Sequence, residues 1–150
     1  MRDDFSIINT TKGKLPSLPF VNIKDDILGK NYILSVAYVS EKKSQELNKT
    51  YRQKDNPTNI LSFPLSKDEG EIIICPAVVK REAKNFDKTF RQFLGFLVIH
   101  GMLHLEGLDH SSRMEREEKK YDQKYFYRNR RGVINDESRG GRISKRRKKS

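Results

Sequence analysis

Apolar positions along this chain alternate between the spacing of strands and that of helices, and the switches divide it into elements. Phe5, Ile7 and Ile8 predict a short first strand, a loop follows around Pro16 and Pro19, and residues 22–28 predict a short helix. Residues 32–39, YILSVAYV, are dense in β-branched and aromatic types, which predicts a strand buried on both faces. Residues 40–51 take up helical spacing: Ser40 stands at a capping position, Lys43, Leu47 and Tyr51 recur every four residues, and Pro57 lies beyond the end. Residues 58–63 (TNILSF) and 71–75 (EIIIC) predict two more strands, and the short turn at 66–70 favours their antiparallel pairing.

Past Pro76 the pattern is helical to the end of the patterned region. Residues 77–85 predict a helix with proline near its first turn. A longer helix opens at Thr89, whose spacing to Gln92 is that of a capping box, and runs to residue 106, about 27 Å at 1.5 Å per residue. Phe93, Leu94, Phe96, Leu97, Val98, Ile99, Met102, Leu103 and Leu105 cover nearly its whole circumference, so this helix is expected at the centre of the fold. A last helix, capped by Ser111 or Ser112, is predicted through residue 127, with Met114, Tyr121 and Tyr125 on its apolar side. There is no internal repeat.

Length and charge refine this picture. A chain of 150 residues suits one domain with one sizeable core. The formal charge of +11 is uneven: residues 139–150 hold Arg139, Arg142, Lys145, Arg146, Arg147, Lys148 and Lys149, seven of the 31 basic residues and none of the 20 acidic ones. Residues 1–138 therefore carry 24 basic against 20 acidic residues, or +4. Two units are expected: a folded domain over 1–138 and a flexible basic tail over 139–150, too poor in apolar surface to offset its chain entropy and suited to attract nucleic-acid phosphates. The apolar stretch 93–105 is interrupted and too short to span a membrane, and the chain opens on Arg2, Asp3 and Asp4 instead of a cationic apolar leader. A single cysteine, Cys75, makes no internal disulfide, and a reducing cytoplasm is the expected compartment.

The candidate chemistry is concentrated in one place. All three histidines, His100, His104 and His110, fall within the eleven residues HGMLHLEGLDH. Residues four apart share a helix face, so His100 and His104 can aim two imidazoles at one cation. Gly107 is a natural helix stop, after which a short turn can return His110. Three imidazoles leave a fourth position open, the arrangement of catalytic zinc sites, in which the ion lowers the pKa of water to about 7. Cys75 could close such a site, but it follows the apolar run Ile72, Ile73, Ile74 and reads better as a small buried hydrophobe. Imidazole also suits other transition metals; without a redox partner, one zinc ion is the expectation. The glutamate general base of HExxH peptidases would fall at Gly101, and Glu106 points away from the His100/His104 face, which disfavours a metallopeptidase.

These residues carry a resemblance. HGMLHLEGLDH resembles the HGxLHLxGYDH signature of the YbeY family, bacterial endoribonucleases and ribosomal RNA maturation factors with a three-histidine zinc site. LNKTYRQKDNPTNILSFP, residues 47–64, is similar to the family's LNxxYRxxDxPTDVLSFP, and Gly70, Glu71 and Ile72 to its GDI element. The resemblance runs from about Ile33 to His110, roughly half the chain. It implies an α+β domain in which about five helices pack on a four-stranded mixed sheet, with the metal at the end of the buried central helix. It implies His100, His104 and His110 as ligands, Arg52 as the residue linked to RNA cleavage, and as partners ribosomal RNA, the small ribosomal subunit and ribosome-associated proteins. The implied activity is metal-dependent, single-strand-specific endoribonucleolysis in ribosomal RNA maturation and ribosome quality control. The alternatives are a zinc metallopeptidase-like hydrolase and a non-catalytic ribosome-associated RNA-binding factor.

Two positions depart from the family pattern: Asn59 stands in place of an aspartate and Leu108 in place of a tyrosine. Asp109 is equally suited to orient a ligand histidine and to cap the helix that follows. Arg52 offers a rigid fork to phosphate oxygens; by spacing alone it would pair with Asp55, and the family match favours the catalytic role. Ser62 reads as a strand serine bonded to backbone.

Overall fold

Every strong patterning signal becomes an element. The computed structural model describes residues 4–109 and 111–127, which fall into two units divided after Asp109. The first holds β1 (Phe5–Asn9), α1 (Phe20–Ile27), β2 (Ile33–Tyr38), α2 (Glu41–Arg52), β3 (Ile60–Ser66), β4 (Glu69–Ile74), α3 (Pro76–Ala83), a 3-10 turn (Lys84–Phe86) and α4 (Phe90–Glu106); the second holds α5 (Ser112–Phe126). The four strands form one mixed sheet in the order β1-β2-β4-β3, with β1, β2 and β4 parallel and β3 antiparallel to β4. The expected α+β architecture of four mixed strands and five helices is the one observed. The β3–β4 turn is tighter than residues 66–70 suggest, and the register shifts between Pro64 and Ser66, where proline has no N–H for the ladder.

Capping residues set the helix starts. Ser40 accepts from the Lys43 N–H at 3.1 Å, and Thr89 and Gln92 close both halves of the capping box, each at 3.1 Å. Ser111 caps α5 through the Met114 N–H, and Met114, Asp122 and Phe126 share one stripe of that helix at multiples of four.

Helix α4 packs on β3, β4, α1 and α3, which is why it is apolar almost all round. Strand β2 corrects the expectation of two buried faces. Leu34, Val36 and Tyr38 are buried, whereas Ile33 is 42% exposed and Ser35 and Ala37 are half-buried. The second face of the sheet is covered toward one end, where Leu47 of α2 packs with Val39, Leu61, Ile73, Ala37 and Phe63.

One charged residue of α1 is wholly interior. Lys24 is 0% exposed, and its ammonium donates to Asp4 (3.0 Å), Asp25 (3.1 Å) and the carbonyls of Gly29 (2.9 Å) and Lys30 (3.3 Å). A buried ammonium is tolerated only with such a shell, and this one ties α1 to the segments on either side of it. Replacing Lys24→Met removes the one ammonium shared by these four acceptors; the expected cost is about 2–4 kcal/mol, read as a lowered urea midpoint at unchanged slope.

Candidate metal centre

The open side of α4 is a single stripe. From Phe93 to Leu103 every residue is buried except Phe96 and His100, and Gln92, Phe96, His100 and His104 recur every four residues, all half-buried. Packing on the sheet, α1 and α3 thus leaves one line of the helix open, and two of the three histidines lie on it.

The end of that helix fixes the state of His104. Gly107 adopts φ +112°, a left-handed conformation open to glycine, and the chain closes a Schellman turn: Gly107 N–H to His104 O and Leu108 N–H to Leu103 O, both 3.0 Å. The turn brings the Leu108 carbonyl to 3.1 Å from His104 Nδ1. A carbonyl only accepts, so Nδ1 carries the proton and the lone pair lies on Nε2. That Nε2 faces His100 Nε2 at 3.1 Å, with the rings 86° apart in plane and 4.5 Å between centroids.

This geometry suits a cation. Two nitrogens on a tetrahedral zinc with bonds of about 2.0–2.1 Å lie about 3.3 Å apart, close to the separation found here. The outer hydrogen bond on His104 is the support that metal-bound histidines ordinarily receive, supplied by backbone instead of carboxylate. His110 lies outside the described residues, as do the basic positions of 139–150. Among the described residues no group of three or more His, Cys, Asp or Glu side chains gathers to hold a metal.

Gly101 and Ser62 set how deeply the histidines sit. A Cβ at Gly101 would lie 2.9 Å from Ser62 Oγ, 3.2 Å from Ile60 Cδ1 and 3.4 Å from Ile72 Cδ1, so α4 rests directly on β3 and β4. Ser62 donates to the Gly101 carbonyl at 3.3 Å, the backbone role expected of it. A turn later, Gly70 of β4 admits the Leu105 side chain, whose methyl carbons would lie 2.9 and 3.0 Å from a Cβ there. No glutamate fits at position 101, which removes the HExxH arrangement on steric grounds.

Other motif residues divide between folding and exposure. Asn48 donates to the Asn56 carbonyl (2.8 Å), Ser44 exchanges two hydrogen bonds with the Thr58 backbone (both 2.9 Å), and Gln45 donates to Asp55 (2.9 Å). These bonds fold the loop between α2 and β3. Asp55 is taken up by Gln45 and, at 4.0 Å, by Lys49. Arg52, the last residue of α2, is exposed, and the Asp55 pairing that spacing suggested goes to Gln45 and Lys49 instead. Asn59 donates to Glu82 at 2.8 Å; an aspartate there would set two carboxylates against each other. Asp109 is exposed, and the acceptor on His104 is Leu108. Cys75 is buried at the start of α3, its thiol pushed up chiefly by burial, with Val78, Ala77, Glu41 and Arg81 as neighbours. Sequence reasoning counted Phe96 among the core residues; its place on the open stripe appears only once α4 is packed.

The family model described as Endoribonuclease YbeY matches residues 17–129. Endoribonuclease YbeY of Staphylococcus aureus strain JH9 and that of strain Newman are each 40% identical over 99 residues, covering 57% of this chain and 64% of theirs. The chain thus spans just under two thirds of the length of these curated relatives. The solution structure of TM1509 from Thermotoga maritima is 36% identical, with a TM-score of 0.56, over 79% of this chain and 87% of that one.

Two substitutions test the site's construction. Gly107→Ala forces a side chain into a left-handed residue at a cost of about 1–2 kcal/mol, and should add the Nε2–H form of His104 to long-range proton–nitrogen spectra as Leu108 shifts. Gly101→Glu should lower stability by more than about 3 kcal/mol in urea titration, because a carboxylate is driven between helix and sheet.

Proposed function

The chain belongs to the YbeY family, and on that premise we propose that it is a metal-dependent endoribonuclease that cuts single-stranded RNA, in ribosomal RNA maturation and ribosome quality control. The observation that carries the reading is the pair of Nε2 atoms 3.1 Å apart, with the His104 lone pair directed at His100 by the Leu108 carbonyl. His110, three residues beyond Gly107 in sequence, is the third proposed ligand, and zinc the proposed cation. Bound there, a divalent cation supplies positive charge beside the reacting phosphodiester and acidifies water.

The chain's own groups do the rest. His100 and His104 hold their orientation on a helix packed into the core, so little reorganisation is needed when substrate arrives. Arg52 has no carboxylate partner in Asp55 and is proposed to clamp a phosphate and offset its developing charge. Asp109 is exposed and is not the partner of His104; its proposed role is to orient another ligand histidine. The seven basic residues of 139–150 are proposed to draw RNA to the site through its phosphates. The proposed partners are ribosomal RNA, the small ribosomal subunit and ribosome-associated proteins, in the cytoplasm; no helix among the described residues is long and apolar enough to cross a membrane. The peptidase alternative loses its general base at Gly101.

Purified protein incubated with single-stranded RNA should cleave it, and a chelator should stop cleavage until zinc is restored. His104→Ala should lose both bound metal, by elemental analysis, and activity. Arg52→Ala should keep its metal while kcat falls about 10²–10³-fold. Undiminished cleavage by His104→Ala would remove the cation from the mechanism, and a protein that binds metal and RNA but never cuts would instead be a ribosome-associated binding factor.

A further inference from the structure

We propose that Phe96 and Lys88 form a nucleotide subsite beside the histidines, in which Phe96 stacks a base of single-stranded RNA and Lys88 takes the adjoining phosphate. The subsite rests on the endoribonuclease reading and specifies where one nucleotide of that substrate lies.

Three observations point to it. Phe96 is the one large apolar side chain on the open stripe of a helix that buries nearly everything else, so its partial exposure forgoes burial that its neighbours obtain. It stands one turn, about 6 Å, before His100, and the two rings lie 28° from parallel with centroids 6.3 Å apart. An aromatic ring thus stands directly beside one of the candidate metal ligands. Lys88 then sets a cation over the same ring, its Nζ 5.8 Å from the centroid. It is placed there by the turn before α4, where Asp87 adopts a left-handed φ of 55° and the Lys88 N–H bonds the Ala83 carbonyl at 3.2 Å.

The chemistry of this pair matches unpaired RNA. Single-stranded bases are recognised chiefly by stacking on aromatic rings, and the adjoining phosphates by lysine and arginine. At 5.8 Å the ammonium is near the outer limit of cation–π attraction, about 6 Å, and its flexible stem lets it leave the ring for a phosphate while a base takes its place. A duplex keeps its bases stacked on each other and offers none to Phe96, so the subsite also favours single strands.

The test is fluorescence anisotropy of a labelled single-stranded RNA of about 12 nucleotides with the full chain, checked by gel to be intact, beside the same oligonucleotide made abasic. Phe96→Leu should weaken binding of the normal RNA about 5- to 100-fold, leave the abasic oligonucleotide's affinity unchanged and keep the thermal midpoint; Phe96→Tyr should restore binding. Lys88→Gln should lower the salt slope of binding by about 0.7, one phosphate contact on a single strand. If wild type binds and Phe96→Leu is unaffected, or loses normal and abasic RNA alike, the stacking subsite is wrong while the endoribonuclease reading stands. If wild type binds no single-stranded RNA, both fall.

Discussion

The hydrogen bond between His104 Nδ1 and the Leu108 carbonyl decides what the candidate site can do. It settles which nitrogen of His104 carries the proton and therefore which one can act as a ligand. The bond exists because α4 stops at Gly107 in a Schellman turn that folds the next carbonyl back over the last turn of the helix. A glycine chosen by backbone sterics thus sets the chemistry of a ring three residues upstream.

That interaction would be loose on a mobile helix, and packing makes α4 rigid. Gly101 and Gly70 remove side chains where the helix meets the sheet, and Ser62 bonds across the contact to the carbonyl that follows His100. The close approach that supports the imidazoles also occupies the space a peptidase glutamate would need. Away from its exposed ends, burial leaves the helix open to solvent along one line, Gln92, Phe96, His100 and His104.

The upstream signature divides along similar lines. Asn48, Asp55 and Thr58 fold the loop between α2 and β3 through backbone and side-chain hydrogen bonds. Arg52 is left out of that network and stays exposed at the end of α2. Asn59 has Glu82 as its partner, which gives the departure from the family aspartate a local reason: an amide donates where a second carboxylate would repel.

Periodicity and capping chemistry determined most of the individual strands and helices, because Ser40, Thr89 with Gln92, Gly107 and the strand runs act through neighbours close in sequence; the four-stranded mixed sheet was what the family resemblance implied. The spacing of His100 and His104 determined their shared helix face for the same reason. Tertiary structure alone decided matters that depend on residues distant in the chain. Lys24 is buried because Asp4 and the carbonyls of Gly29 and Lys30 surround it, one face of β2 stays partly open because α2 covers only part of the sheet, and Phe96 is half-exposed because the sheet, α1 and α3 leave one line of α4 free. A side chain's spacing tells which neighbours it has on its own element; whether water reaches it depends on which other elements arrive.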